Sequence, residues 1–340
     1  MERLEHIVIP LLDWYRENAR DLPWRRTQDP YRILLSEVML QQTRVAAVIG
    51  YYHRFLAAAP TVADLAGLEE DALLKLWQGL GYYNRARNLQ KAAKAVMELH
   101  GGRFPDTYEG LLALPGVGEY TAGAVSSIAF GRCEAAVDGN VLRVVTRVTA
   151  DPSDITRQET KRRIAAGLKA VMPVEYPGRF NQALMELGAT VCLPNGAPQC
   201  GRCPLAHLCL AREREDFSFP KKPPKKARKV EERPVFLLFW EDKVALRRRP
   251  DKGLLAGLYE YPDSLEGLLH GEPEFVGEAV HIFTHKEWHM PAWAVEALDE
   301  TLPGGWLWAG LAEWRQTYSI PSAFSAFDHH VERRLMKKER

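Results

Sequence analysis

The sequence contains no stretch of 18 uninterrupted apolar residues, and so offers no helix suited to crossing a membrane. It has no excess of either charge. Against 45 Lys and Arg stand 44 Asp and Glu, a net charge of +1 that by itself argues neither for nor against nucleic acid. The opening MERLEHIVIPLLDWYREN sets charges among its apolar positions at helical spacing. It therefore lacks both the apolar core of a secretory signal and the bias of a transit peptide, and an intracellular protein is expected. No internal repeat is present. Cysteine is scarce, with five residues, yet four of them fall between Cys192 and Cys209. Clustered thiols without a secretory signal point to metal rather than to disulfides.

What is present is an ordinary globular composition, 46% hydrophobic and 26% charged, in a chain of 340 residues that exceeds the size of one core. Two domains are expected. Residues 1 to about 212 read as helical almost throughout. DPYRILLSEVMLQQTRVAAVIGYYHRFL begins with Asp29 as N-cap and Pro30 at the first helical position. DALLKLWQGLG and NRARNLQKAAKAVMELHGG carry apolar residues at three- and four-residue spacing and end on glycine. EYTAGAVSSIAFG and DGNVLRVVTRVTA follow the same pattern, and Cys133 reads as a small packed residue in a helical stretch. The texture then breaks at FSFPKKPPKKARKVEERP, a lysine- and proline-rich linker. Beyond it PVFLLFWEDKVALRRR reads as a hairpin turning at Glu241, Asp242 and Lys243, and FVGEAVHIFTHKEWHMPAWAVEAL alternates as strands do. The expected fold is an all-α first domain followed by a smaller α+β domain.

Three features of the first domain carry chemistry. The thiols are spaced C-x7-C-x2-C-x5-C, with one C-x2-C knuckle where four-cysteine zinc modules usually offer two. One short segment supplying Cys192, Cys200, Cys203 and Cys209 suits a 4Fe-4S cluster better, zinc being the alternative. Such a cluster staples a loop carrying Arg202 into a fixed shape, whether as pure cross-link or against a phosphate backbone. In LPGVG, Gly116, Val117 and Gly118 make a tight turn at a helix start, which is either a packed glycine turn or a phosphate seat of outward amides. Finally, two acids stand out. Asp138 in VDGNV sits where a helix begins, as an N-cap or more. Glu37 has helical neighbours Ile33, Leu34, Leu40 and Gln41, a mainly apolar face on which a carboxylate is either a structural hydrogen-bonder or a proton donor with a raised pKa. A donating acid and an ionised one are the pair needed to break a glycosidic bond.

Taken together, LPGVG, VDGNV and the four-cysteine loop resemble the helix-hairpin-helix DNA glycosylases with an iron-sulfur cluster, the superfamily of endonuclease III. LPWRRTQDPYRILLSEVMLQQT, GLGYYNRARNL and VDGNVLRV are similar more specifically to adenine DNA glycosylases of the MutY type, over roughly residues 1 to 212. The resemblance implies removal of adenine mispaired with 8-oxoguanine or guanine in double-stranded DNA, in base excision repair. It implies that Glu37 protonates adenine at N7 and then positions water, that Asp138 stabilises the sugar cation, and that Asn140 orients them. Trp24, Arg25, Leu40, Val45 and Gln182 match positions lining the adenine pocket, although Trp24, Leu40 and Val45 suit a core equally well. Gln42 and Tyr82, with Thr43 and Leu80 beside them, match residues that meet the opened duplex. Tyr120 stands where the strand-cutting glycosylases carry a lysine that attacks the sugar. A tyrosine forms no Schiff base, so base removal without strand cleavage is expected. Glu119 departs from the basic or neutral residue expected beside a phosphate, and seven residues separate Cys192 from Cys200 where the family usually has six.

In the second domain GLLAGLYEYP, residues 253–262, is similar to part of the Nudix-like domain that such enzymes carry. The following DSLEGLLHGEPEF lacks the R-E-x-x-E-E signature that holds magnesium, so a binding role is expected rather than pyrophosphatase activity. Phe283, Thr284 and His285 stand where the family has a Phe-Ser-His loop that reads 8-oxoguanine. His281, His285 and His289 would share a face only on a helix, and the β-branched and aromatic content favours strand and loop. The basic KKPPKKARK is a solvated linker or a phosphate contact. The expected organisation is thus a helix-hairpin-helix glycosylase domain over 1–215 with its iron-sulfur loop at 192–209, a linker over 216–232, and a Nudix-like domain over 233–340. A cytoplasmic, nucleoid-associated, bacterial monomer that does not engage membranes is expected. The competing readings are a bifunctional pyrimidine glycosylase and lyase, a non-catalytic lesion-sensing DNA-binding protein, and a Nudix-type nucleotide hydrolase.

Overall fold

The computed structural model describes residues 2–195, 197–224 and 227–336. Its helices begin with α1 (Val8–Asn18), α2 (Pro30–Leu40), α3 (Val45–Ala58), α4 (Val62–Gly67), α5 (Glu70–Trp77) and α6 (Asn84–His100). They continue with α7 (Tyr108–Leu112), α8 (Glu119–Phe130), α9 (Gly139–Thr149), α10 (Gln158–Val171), α11 (Pro177–Thr190) and α12 (Leu210–Glu213). Strands follow as β1 (Lys229–Glu232), β2 (Val235–Trp240), β3 (Lys243–Arg248), β4 (Tyr259–Glu260), β5 (Glu274–Ile282), β6 (Lys286–Glu296) and β7 (Trp306–Ala309), with α13 (Leu311–Gln316) and α14 (Asp328–Met336) closing the chain. Among the described residues no helix is long and apolar enough to cross a membrane.

The chain packs as two compact units, Met1–Gly67 with Asn88–Pro224, and Leu68–Arg87 with Lys225–Arg340. The first is all helical. Its core gathers the apolar faces of α1, α9 and α11, including Leu11, Val141, Val145, Phe180 and Leu184. Asp29 caps α2 by accepting from the Tyr31 amide at 2.9 Å, with Pro30 at the first position where a missing N–H costs nothing. The run after Asp29 is not one helix. Residues 41–44 interrupt it, and Gln42 adopts a left-handed φ of 58° that an α-helix cannot carry. Cys133 is packed against the core as expected, but in the extended segment between α8 and α9 rather than in a helix.

The second unit is a seven-stranded sheet in the order β1-β6-β2-β3-β4, with β5 on β6 and β7 on β3. Alternation divides its faces. Val235, Leu237 and Phe239 join Phe324, Phe327 and Val331 in one core, while Leu238, Ala245 and Val295 lie on the other face. The β2–β3 hairpin is as expected except that Lys243 already pairs with Trp240, leaving Glu241 and Asp242 as the turn. His281, His285 and His289 fall on β5, the following turn and β6, so no helical face unites them.

Two stretches lie elsewhere than their sequence texture suggests. Residues 68–87 read as one more piece of the helical block, yet they pack with the sheet. Lys75 Nζ donates to the Tyr318 carbonyl and Gln78 Nε2 to that of Ile320, both at 2.9 Å, and Arg87 Nη2 donates to Ala256 at 2.7 Å. The linker is also less free than its composition implies. Phe219 is buried, its carbonyl accepts from Arg147, and Lys229–Glu232 form a charged strand parallel to β6. Lys225 and Lys226 of the basic run lie outside the described residues.

Candidate active site

A cleft of about 1530 Å³ opens in the first unit, lined from α2, the α7–α8 hairpin, the start of α9 and one face of α11. The local sequence explains each wall. Gly116 turns the hairpin at φ 74°, and a Cβ there would lie 2.4 Å from that of Asn88. Only glycine fits. Gly118 then caps α8, and Tyr120 follows on its first turn. Glu119 does not stand bare beside the hairpin amides, because Arg162 donates to it at 2.9 and 3.0 Å.

Glu37 lies in the middle of α2 among consecutively buried residues, and only 5% of it is exposed. The Tyr120 hydroxyl donates to Glu37 Oε2, and Met185 Sδ lies 3.3 Å from the same hydroxyl. Burial lifts the Glu37 carboxyl to about 7 against that hydrogen bond, with the nearby negative charge of Asp138 adding to the rise. Burial and both acids hold the Tyr120 phenol well above its usual value, so it remains a donor. Asp138 is the N-cap of α9. Its Oδ1 accepts the Val141 amide at 2.8 Å and its Oδ2 the Asn140 side chain at 2.7 Å. Burial raises its pKa, and these two bonds oppose the rise by favouring the ionised form. Each acid is thus held by structural hydrogen bonds and shifted in pKa at once.

The residues expected around them are gathered in this cleft. Trp24, Arg25, Leu40, Val45 and Gln182 line it together with Glu37, Tyr120, Asp138 and Asn140, and so do Gln42, Thr43, Gly116 and Gly118. Trp24 is at once wall and core, with its ring edge-on to Tyr52 at 5.4 Å. Gln182 accepts from the Tyr15 hydroxyl at 3.1 Å. Val117 is instead buried beneath the hairpin. Leu80, Tyr82 and Phe283–His285 belong to the second unit. There Leu80 is buried, and Tyr82 holds a left-handed φ of 49°. Phe283–His285 form the turn between β5 and β6, closed by the Phe283 amide on the Lys286 carbonyl at 2.8 Å. Thr284 and His285 are exposed, and the Thr284 hydroxyl is hydrogen-bonded to that of Tyr82 at 2.8 Å.

Glu186 was missed by sequence reasoning. It lines the cleft at 1% exposure, bound by Arg20 at 2.7 and 2.8 Å and by Arg25 at 2.7 Å. Burial alone would raise its pKa, yet these guanidiniums bring it down to about 2, a fixed negative charge where Glu37 is a titrating one. The signal was available, since Glu186 is a carboxylate in the otherwise apolar ALMELGA of α11, four residues beyond Gln182.

Behind the acids, α9 reaches the cysteine loop. Arg143 donates to Asn140 Oδ1 at 2.9 Å, to the Gly188 carbonyl at 2.7 Å and to the Cys192 carbonyl at 2.7 Å. A Cβ on Gly188 would lie 2.5 Å from that of Asn140, so α11 comes this close to α9 only as glycine. One turn on, Arg147 donates to the Leu193 carbonyl at 2.9 Å and to Cys192 Sγ at 3.3 Å. The seven-residue stretch between Cys192 and Cys200 includes Gly196, which lies outside the described residues.

With this geometry in hand, comparison with known proteins is direct. Residues 35–170 match the HhH-GPD superfamily of base excision DNA repair proteins, and residues 235–327 match the NUDIX domain. An adenine DNA glycosylase of Rattus norvegicus is 35% identical over 402 residues, spanning 94% of this chain and 77% of the relative. Among solved structures, a thermostable thymine-DNA glycosylase covers 63% of this chain and 98% of its own at a TM-score of 0.58 and 31% identity. A trapped endonuclease III-DNA covalent intermediate covers 63% and 97% at 0.54 and 26%. The matched helical and Nudix domains and this similarity over nearly the whole chain place it among the adenine DNA glycosylases, enzymes of base excision repair, and it belongs to that family.

Proposed function

We propose that this adenine DNA glycosylase hydrolyses the N-glycosidic bond of adenine mispaired with 8-oxoguanine and leaves the strand uncut. The observation that carries the reading is the Tyr120 hydroxyl donating to the buried, half-protonated Glu37 in the cleft that also holds Asp138. Glu37, protonated, gives its proton to N7 of the flipped adenine. The C1′–N9 bond then breaks with its electron pair passing to the base, and the ionised Asp138 stabilises the oxocarbenium ion. Water adds at C1′ and loses a proton to the Glu37 carboxylate, which restores the acid. Trp24, Arg25, Leu40, Val45 and Gln182 hold the base in this reading. Gln42, Thr43 and Tyr82 meet the duplex, while Leu80 is buried; Gly116 and Gly118 present amides to a phosphate, and buried Val117, its own amide bonded to the Leu114 carbonyl at 3.1 Å, anchors the turn.

The same proposal assigns Phe283, Thr284 and His285 to the 8-oxoguanine. Excision chemistry is placed in 1–215 and lesion reading in 233–340, joined by 216–232, with Tyr82 packed alongside the reading turn. Cys192, Cys200, Cys203 and Cys209 are proposed to hold a 4Fe-4S cluster. Their chemistry fits: burial pushes the Cys203 thiol up to about 12, and the neighbouring charges of Cys192, Cys209 and Cys200 add to it, a setting in which a bound cation would favour the thiolates. All four cysteines come from one short segment with a single C-x2-C knuckle, a ligand set that suits a cluster spreading its thiolates over four irons better than a zinc module, which usually takes two knuckles. Bound there, the cluster would staple the loop. Its thiolates call for a reducing compartment, consistent with a monomer acting in the cytoplasm.

Incubating the protein with a duplex holding one 8-oxoguanine:adenine pair, then treating with alkali, should cut the adenine strand, and omitting alkali should leave it intact. Glu37→Gln should bind without excising. No cutting by the wild-type, iron-loaded protein would refute the proposal, and borohydride trapping of a stoichiometric adduct would favour a lyase instead.

A further inference from the structure

We propose that Glu260, with Arg233 and Arg249, forms a positioning device for the Phe283–His285 turn, acting through Trp288, and thereby sets the preference for 8-oxoguanine over guanine opposite the adenine. The inference rests on the reading of that turn given above.

Glu260 ends the two-residue strand β4, and only 1% of it is exposed. Its carboxylate accepts from Arg233 and Arg249 on Oε2, and from Arg247 on Oε1 at 2.8 and 3.2 Å. A carboxylate and three guanidiniums withdrawn together from water form a poor stability device, because the desolvation penalty rivals the attraction and an apolar cluster would serve as well. What the cluster holds is more telling. The Arg233 guanidinium lies 4.5 Å from the centre of the Trp288 ring, and that of Arg249 lies 5.7 Å from it. The third, Arg247, lies over a different ring, that of Trp306 at 5.8 Å.

Trp288 is 2% exposed and donates its indole N–H to Glu231 at 3.2 Å. The ring is therefore fixed at its edge by a hydrogen bond and at its face by cations. Against it stands Phe283, edge-on at 4.8 Å and 71°, with His281 packed on Phe283 at 4.6 Å. The chain of support runs from Glu260 through two arginines to Trp288, and from Trp288 to the first residue of the reading turn. Asp263 offers no substitute for Glu260 at Arg249, since it reaches only Arg233, at 3.6 Å, and Arg247, at 3.1 Å. Two bases that differ at a single ring edge are told apart only by a turn held to a fraction of an ångström, and that is what a doubly clamped ring supplies.

The three arginines provide an internal control, because all bind one carboxylate but only two touch Trp288. In the full-length protein, single-turnover adenine excision would be measured opposite 8-oxoguanine and opposite guanine for Phe283→Ala, Arg249→Met, Arg249→Lys and Arg247→Met, with a melting curve for each. We expect Phe283→Ala and Arg249→Met each to lower the ratio of the two rates about tenfold, with the rate opposite guanine changed less than about twofold. Arg249→Lys, which keeps the cation and loses the fork, should recover part of the ratio and reports the effect if the methionine variant does not fold. Arg247→Met should lower the melting temperature and leave the ratio unchanged. The proposal is overturned if Arg247→Met lowers the ratio as far as Arg249→Met, or if Phe283→Ala lowers it and neither Arg249 variant does. An unchanged ratio in Phe283→Ala would instead overturn the reading of the turn, and the positioning role with it.

Discussion

Glu37 and Tyr120 are tied to each other more closely than to the rest of the cleft, and each sets what the other can do. With its carboxyl raised to about 7, Glu37 is protonated below neutrality, so excision should fall as pH rises through about 7, read as single-turnover rate against pH. Tyr120→Phe removes the bond that favours the carboxylate and should move that fall upward by about one pH unit. The same shift has a sign for stability. Below pH 4.5 the folded and unfolded chains both hold the proton; between 4.5 and about 7 only the folded one does, so stability declines as pH rises across that window. The decline should reach about 3 kcal/mol at most, and Glu37→Gln should abolish it, gaining stability over wild type at pH 8 but not at pH 4 in denaturant melts. Glu37 and Asp138 were legible because each is conspicuous in its own helix. Glu186 has an equally conspicuous setting, but what makes it a fixed anion is Arg20 and Arg25, more than 160 residues away in sequence, and no local pattern shows that pairing.

At the scale of elements, helical periodicity found α2, α3, α6, α8 and α9, and the caps at Asp29 and Asp138 were read correctly because capping is local chemistry. The break between α2 and α3 was not legible, since glutamine is a good helix former and only tertiary structure demands φ 58° at Gln42. That strain can be measured. Gln42→Gly should leave the melting temperature unchanged or raise it, the relief of about 1 kcal/mol being partly offset by glycine's unfolded-state entropy, while excision slows. The strand Lys229–Glu232 escaped notice because three of its four residues are charged, as suits a sheet edge, and its pairing partner is β6. On α9, Arg143 serves four acceptors from one guanidinium. Arg143→Met should cost about 3 kcal/mol in chemical denaturation by taking the donor from the buried carbonyl of Gly188 and the half-buried one of Cys192.

The molecule as a whole is two units drawn from three crossings of the chain between them. A protein ending at Pro224 would lack the Tyr318, Ile320 and Ala256 carbonyls that hold residues 68–87. Such a truncation should therefore destabilise the remaining chain, seen as faster proteolysis near α5. The sequence announced two domains through the texture change after residue 216, yet gave no hint of this excursion. Residues 68–87 have the same amphipathic character as their neighbours, and an apolar face does not say which surface will cover it.

The excursion also has a consequence in time. Lys75 and its acceptor Tyr318 are 243 residues apart, and at ribosomal speeds of about 5–20 residues per second the lysine waits on the order of 10–50 s for its partner to be made. Tyr82 is made in the same early stretch, and its partner Thr284 arrives 202 residues later. The residues lining the cleft around Glu37 are all synthesised by position 194, before either partner exists. The nascent chain therefore holds Glu37, Tyr120 and Asp138 well before Tyr82 gains the Thr284 hydroxyl that it bonds to.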